Sequence, residues 1–305
     1  MKKIFYLMVL LLFLSACDIA QQPATTQELA TSCPPDCTGG SGSIETTINF
    51  PLDGGNVYTS DRFAPILKIE NVGEANGDGM ILFSGLDSDI FGTYGGCQYS
   101  LYFDTVVDDP EGYLQEVIFD DLPSTSVSTE TSSTQFMTVS TRYAYTTYGV
   151  FEACLTGDPV GETACNPTGD KLEESSSGPL EITSIEEELT PVGGNAVTLR
   201  LNIDARVNAA KSEQLISVED TSNTDCVLSS QDYIDAQVRV ILFGQSYSCG
   251  NLRFENGKDE ASVTCRIQNL DNNLFIGGQK LYTGWVEVNY GFEDRQSVSF
   301  NVIPE

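Results

Sequence analysis

Side chains in the stretch AVTLRLNID, Ala196 to Asp204, change character at every step: Val197, Leu199, Leu201 and Ile203 are apolar, while Thr198, Arg200, Asn202 and Asp204 are polar. A repeat of two matches the pleat of a β-strand, whose successive side chains point to opposite faces, and is out of phase with the turn of an α-helix. The same alternation recurs in QVRVILFG, ASVTCRIQ, WVEVNYGF and SVSFNVI. No window long enough for a helix keeps an apolar helical stripe. Strands with one apolar and one wet face are satisfied by antiparallel sheets packed face to face, so the expected fold is all-β.

A composition shift at NPTGDKLEESSSGP, Asn166 to Pro179, divides this β-rich region. The expected organisation is two tandem immunoglobulin-like antiparallel β-sandwiches, residues 44–170 and 178–305, joined by a linker at 171–177. The halves read as a distant duplication. APILKIENVGEANGDGMILFSG and AVTLRLNIDARVNAAKSEQLIS each run strand, polar turn, strand, and each half closes on an aromatic-rich strand, STRYAYTTYGVFEACL or KLYTGWVEVNYGF.

Ahead of these lies a secretory signature. Lys2 and Lys3 precede an apolar run, Ile4 to Leu14, that ends in Leu14-Ser15-Ala16-Cys17. This is the pattern of a lipoprotein signal peptide, residues 1–16, with Cys17 as the lipidated first residue of the mature chain. The run is well short of the ~20 residues that a bilayer span needs. Residues 17–43, rich in Gln, Thr, Pro, Ser and Gly, read as a flexible tether with a root-mean-square span of roughly 25 to 30 Å. The expected location is extracytoplasmic, anchored to the cell membrane through the N-terminal lipid. Asp18 resembles the inner-membrane retention signal of enterobacterial lipoproteins.

Acidic residues number 44 against 15 basic, and loss of Lys2 and Lys3 with the signal leaves 13 basic residues. Such a surface is a poor match for nucleic acid or an anionic membrane surface. The chain contains no histidine, which excludes Ser-His-Asp and Cys-His catalysis and removes the commonest ligand of catalytic zinc.

With Cys17 lipidated, eight of the nine cysteines remain, an even number suited to disulfides in an oxidising compartment. Cys33 and Cys37 in CPPDC form a small local pair. Cys154 pairs with Cys165 across LTGDPVGETA, and Cys249 pairs with the inward-facing Cys265. Cys97 and Cys226 are left in different halves; paired, they staple the halves together, and unpaired, each is a free or intermolecular thiol.

Candidate functional residues fall in three groups. The run Glu74, Asn76, Asp78, Gly79 has the spacing of a calcium loop, but its twelfth place is Gly85 rather than a bidentate carboxylate, and strands rather than helices flank it. A β-hairpin turn is the preferred reading. Tyr94, Tyr99 and Tyr102, with Tyr143, Tyr145 and Tyr148 of RYAYTTYG, are candidates for an aromatic surface that binds protein or glycan, although alternation puts Tyr143 and Tyr145 in a sandwich core. Acidic loops offer Asp87, Asp89, Asp104, Asp108, Asp109, Asp120 and Asp121. In a glycan hydrolase these are candidates for paired acid and base, and all but Asp104 are also candidates for holding calcium as a cofactor. The favoured reading is non-enzymatic: an envelope lipoprotein that displays its sandwiches for adhesion, assembly or binding of an envelope protein or glycan.

The stretch LKIENVGEANGDGMILFSG resembles the strand, N-x-G-x-A turn and strand of the adhesion-related immunoglobulin-like domains called CARDB. From about Phe63 onwards, the chain resembles secreted two-domain proteins of DPANN archaea. These combine an NxGxA…G…LSGLD segment, a tyrosine-rich strand ending in cysteine, here RYAYTTYGVFEACL, and a closing hairpin, here WVEVNYGFEDRQSVSFNV. The resemblance implies fold and location, with no activity to carry over. The lipobox of this chain is a departure from that group.

Overall fold

Period-two patterning produces strands throughout the computed structural model, which describes residues 44–49, 55–58, 66–71, 77–91, 98–105, 113–118, 131–156, 165–176, 178–192, 196–209, 213–228, 231–271 and 279–304. Among the described residues sixteen strands pair antiparallel except for one short parallel pair, β2 with β16. All described residues fall in one compact unit, Ser32–Glu305.

Three sheets form. β1 (Ile44–Asn49), β3 (Ile66–Asn71) and β6 (Tyr113–Ile118) make a three-stranded sheet in the order β1-β3-β6. β8 (Thr168–Asp170), β10 (Leu180–Val192), β11 (Ala196–Val207) and β15 (Glu260–Asp271) make a four-stranded sheet in the order β15-β11-β10-β8. The third sheet runs β14-β13-β16-β7-β4-β5, built from β14 (Gln245–Glu255), β13 (Tyr233–Leu242), β16 (Gln279–Ile303), β7 (Ser133–Thr156), β4 (Gly77–Ser84) and β5 (Gln98–Thr105). Three short strands flank it: β2 (Asn56–Tyr58) and β12 (Glu213–Ile216) beside β16, and β9 (Leu172–Ser175) beside β7.

The centre of this sheet is a ribbon of the two aromatic-rich strands. β7 and β16 pair without a break from Gln279↔Thr156 to Val302↔Ser133, far longer than the five or six residues of an ordinary strand. One half of the ribbon faces the three-stranded sheet, where Thr46 Oγ1 of β1 donates to Thr141 Oγ1 of β7 at 3.0 Å. The other half faces the four-stranded sheet. There Thr147 Oγ1 donates to the Leu180 carbonyl (2.8 Å), and the Leu180 N–H donates to the Tyr290 hydroxyl (3.3 Å), which lies 3.0 Å from Thr147 Oγ1. This closed set of bonds satisfies polar groups in a dry layer, and burial holds the Tyr290 hydroxyl protonated. Each face-to-face packing is a sandwich, and one continuous apolar core runs from Ile44 to Val302 through both.

The expected boundary between halves takes a different form. β7 comes from the first half and β16 from the second, yet they share the longest ladder among the described residues. Each sandwich is therefore completed by the closing strand of the other half. The expected linker, 171–177, contains β9, which pairs with β7. The segment Thr168–Ser175 thus passes from the four-stranded sheet, through β8 on β10, to the nine-stranded one. The pattern of the duplication is visible in the topology: β1-β3-β6 matches β10-β11-β15, while β4 beside β7 matches β12 beside β16.

The expected hairpin near Asp78 is also corrected. β3 and β4 do not pair: β3 lies between β1 and β6, and β4 lies between β5 and β7 in another sheet. Gly77, Asp78 and Gly79 belong to β4 rather than to a turn. Gly79 answers a close approach to β7, since a Cβ there would sit 2.0 Å from the Arg142 carbonyl oxygen.

Two disulfides join described cysteines. Cys249–Cys265 ties β14 to β15 and so links the two layers of one sandwich, and Cys154–Cys165 ties the end of β7 to the approach to β8. Cys226 is also disulfide-bonded, and its partner is outside the described residues, as are Cys17, Cys33, Cys37 and Cys97. No described helix is long and apolar enough to cross a membrane.

Candidate functional site

Where the central ribbon passes from one sandwich to the other, both of its faces are covered. Burial along β7 is continuous from Val139 to Tyr143 instead of alternating. Arg142 lies in the polar phase of β7, yet its side chain is fully buried, as is that of Glu293 directly opposite on β16. Arg142 Nε donates to Glu293 Oε1 at 2.8 Å. The other oxygen, Oε2, accepts from Gln214 Nε2 of β12 and lies 2.9 Å from Arg295 Nη2. Glu293 thus has a cationic or amide partner on each oxygen, the condition under which a buried charge is tolerated.

The cover over this row is a strap, residues 217–226, that follows β12. It opens with a 3₁₀ turn, Val218–Ser222, capped by Ser217, whose Oγ accepts the Asp220 N–H at 3.2 Å. Arg142 Nη1 donates to the Asn223 carbonyl at 2.7 Å and pins the strap to the sheet. Gly291 of β16 makes room for it, because a Cβ there would lie 2.4 Å from the Ser217 carbonyl oxygen. Cys226 Sγ sits 3.2 Å from the Phe83 carbonyl oxygen at the far end. One buried ion network therefore holds β12 through Gln214 and the strap through Asn223.

Between these two held elements and the β13–β14 pair lies an open groove of about 560 Å³. It forms because β12 and β13 share one edge of β16: β12 pairs with residues 291–294, and β13 with 285–289. The first residues of β13, pairing only with β14, leave a gap beside β12. Leu215, Ile216, Val227, Leu228, Tyr233 and Ile234 supply the apolar lining. Val227 is 79% exposed and Tyr233 45% exposed at the rim. The guanidinium of Arg253 stacks 4.1 Å above the Tyr233 ring and holds it in place. Gln231 Nε2 donates to Asp220 Oδ2 at 2.9 Å, linking the strap to the approach to β13.

No protein-family model and no curated protein matches the chain.

The residues anticipated from sequence are distributed differently. Tyr143 and Tyr145 are core side chains, packed edge to face with each other and against Phe292 and Tyr290 respectively. Tyr148 lies on the outer face of the ribbon, half-buried, and its hydroxyl is pushed up in pKa by burial and then by the Glu287 carboxylate. Tyr99, Tyr102 and Asp104 belong to β5, while Tyr94, Asp108, Asp109, Asp120 and Asp121 lie outside the described residues, as do Glu74 and Asn76. Asp87 and Asp89 are exposed at the short helix α1 (Ser88–Phe91), where Asp87 Oδ1 accepts the Asp89 N–H at 2.9 Å as a cap. Among the described residues, no three Asp, Glu or Cys side chains are gathered as a metal site.

The groove was missed because its parts are scattered over strands β12, β13, β14 and β16. One signal was present: Arg142 is a lone charge in the apolar and hydroxylic stretch STRYAYTTYG, whereas its partner Glu293 lies in the charged run EDR and gives no such sign.

Proposed function

We propose that the protein is a non-enzymatic cell-envelope lipoprotein. It is lipidated at Cys17 and displays two linked immunoglobulin-like sandwiches of the CARDB kind for adhesion, assembly or binding of a surface partner. The observation that supports binding is the groove between β12, the strap and the β13–β14 pair, with Val227 and Tyr233 exposed at its rim. Exposed apolar and aromatic side chains beside a cleft are the usual anchors of a protein contact. The Arg142–Glu293 network fixes the walls before any partner arrives, which lowers the ordering cost of association. The N-terminal signal, the acidic surface and the disulfides suit an oxidising extracytoplasmic setting.

The test is capture of envelope components by the full chain, beside Val227→Asp and Tyr233→Ala variants. Loss of a specific envelope protein or glycan in both variants supports the reading. Equal recovery in all three places binding elsewhere. Shortening of a recovered glycan instead supports carboxylate-dependent hydrolysis, and binding restored only by calcium supports a calcium-dependent module.

A further inference from the structure

We infer that the groove receives an extended, basic segment of a partner protein, which adds as a strand along the outer edge of β12. This rests on the groove being the partner site proposed above, and names what enters it.

Strand geometry comes first. Among the described residues β12 has one strand neighbour, β16, and all four of its residues line the groove. A strand edge presents main-chain donors and acceptors that an extended peptide can pair with, whatever its side chains. Side-chain preference then comes from the walls. Val227, Leu228 and Tyr233 offer apolar contact on one side, while Glu213, Asp220 and Asp259 carry negative charge around it and Glu255 is paired with Lys258. Among the described residues the cationic lining residues are Lys258 and Arg295, and each is engaged by a carboxylate, Lys258 by Glu255 and Arg295 by Glu293. An incoming acidic segment therefore meets repulsion from these carboxylates. A lysine or arginine lays its aliphatic stem on the apolar wall and its head among the carboxylates. The net charge of −29 on the chain steers such a segment towards the protein from a distance.

The probe is a labelled peptide alternating lysine and valine, titrated with the full chain in detergent and followed by fluorescence anisotropy. Saturable one-to-one binding that weakens with salt is expected, with no binding of the glutamate–valine counterpart. N-methylation of alternate peptide nitrogens removes the main-chain donors and should weaken binding by about tenfold. The pair Asp220→Asn with Asp259→Asn should weaken it by about three- to tenfold, whereas Glu173→Gln with Glu174→Gln, away from the groove, should leave it unchanged. Equal losses in the two variant pairs would reduce the effect to diffuse attraction and overturn the inference. Undiminished binding of the N-methylated peptide would overturn strand addition. If Val227→Asp abolishes capture of an envelope partner while the lysine–valine peptide never binds, the groove keeps its binding role and only the basic-strand proposal falls.

Discussion

Two buried glutamates, one at the ribbon crossing and one in the second sandwich, are treated in opposite ways. Glu293, at the ribbon crossing, meets Arg142 on one oxygen and Gln214 and Arg295 on the other. Glu187 of β10 points into the core of the second sandwich. It accepts the Cys154 N–H at 2.9 Å on Oε2, and the nearest cation, Lys171 Nζ, stands 3.6 Å away, beyond hydrogen-bond distance. Its Oε1 is buried without a hydrogen-bond partner. Burial pushes the Glu187 carboxyl up to about 7, against the opposing pull of the Cys154 N–H and Lys171. Both side chains have zero exposure, so depth alone does not decide whether a buried carboxylate holds structure together or strains it. The number of donors that reach it does.

The sharpest way to break that contrast is to take a donor from Glu293. Arg142→Met leaves a buried charge short of a partner and frees the strap at Asn223, with an expected loss of about 3–5 kcal/mol in urea denaturation. Adding Glu293→Gln should restore part of it. A loss below about 1 kcal/mol would put the two carboxylates in the same class. Next in size is removal of the disulfide beside Glu187: Cys154→Ser with Cys165→Ser opens a short loop and should cost about 3 kcal/mol by chain entropy. By letting water into that end of the sandwich, it should also bring the Glu187 carboxyl down towards its ordinary value, readable by NMR titration.

Glu187→Gln tests the strained side directly. The folded state keeps the Glu187 proton up to about pH 7, whereas the unfolded chain releases it near its ordinary 4.5. Between those values the folded state binds more protons, so this group's contribution falls as pH rises through the window and its loss is complete above it. Glutamine removes that slope. At pH 8 the variant should be more stable than the parent by about 3 kcal/mol, and at pH 4 the two should agree within about 1 kcal/mol, by denaturation at each pH. Smallest of all, Arg206→Gln breaks an ion pair with Glu181 in which both side chains are about half exposed, and should change stability by less than about 0.5 kcal/mol.

Much of the local architecture was legible in the sequence. The alternation in AVTLRLNID is the β11 strand, with Val197, Leu199, Leu201 and Ile203 buried as their phase requires. Tyr143 and Tyr145 are core for the same reason. Nearby cysteines were readable as pairs because a short loop leaves few other partners within reach. The groove was not legible, and neither was the shared ribbon. Arg142 and Glu293 occupy the wet phase of their strands, and a phase tells which face a residue is on but not whether a later segment covers that face. Here residues 217–226 do.

The chain's alternating pattern was enough to dictate strands and the inward set of side chains, because the pleat is a property of each residue and its immediate neighbours. Which strands lie side by side is a different kind of information. The pairing of β7 with β16, the transfer of β3 and β4 to separate sheets and the gap beside β12 arise from contacts between residues far apart in the chain. Many registers offer an alternating strand an equally apolar neighbour, and the choice among them is made only when the whole core, its buried ion row and its covering strap close together.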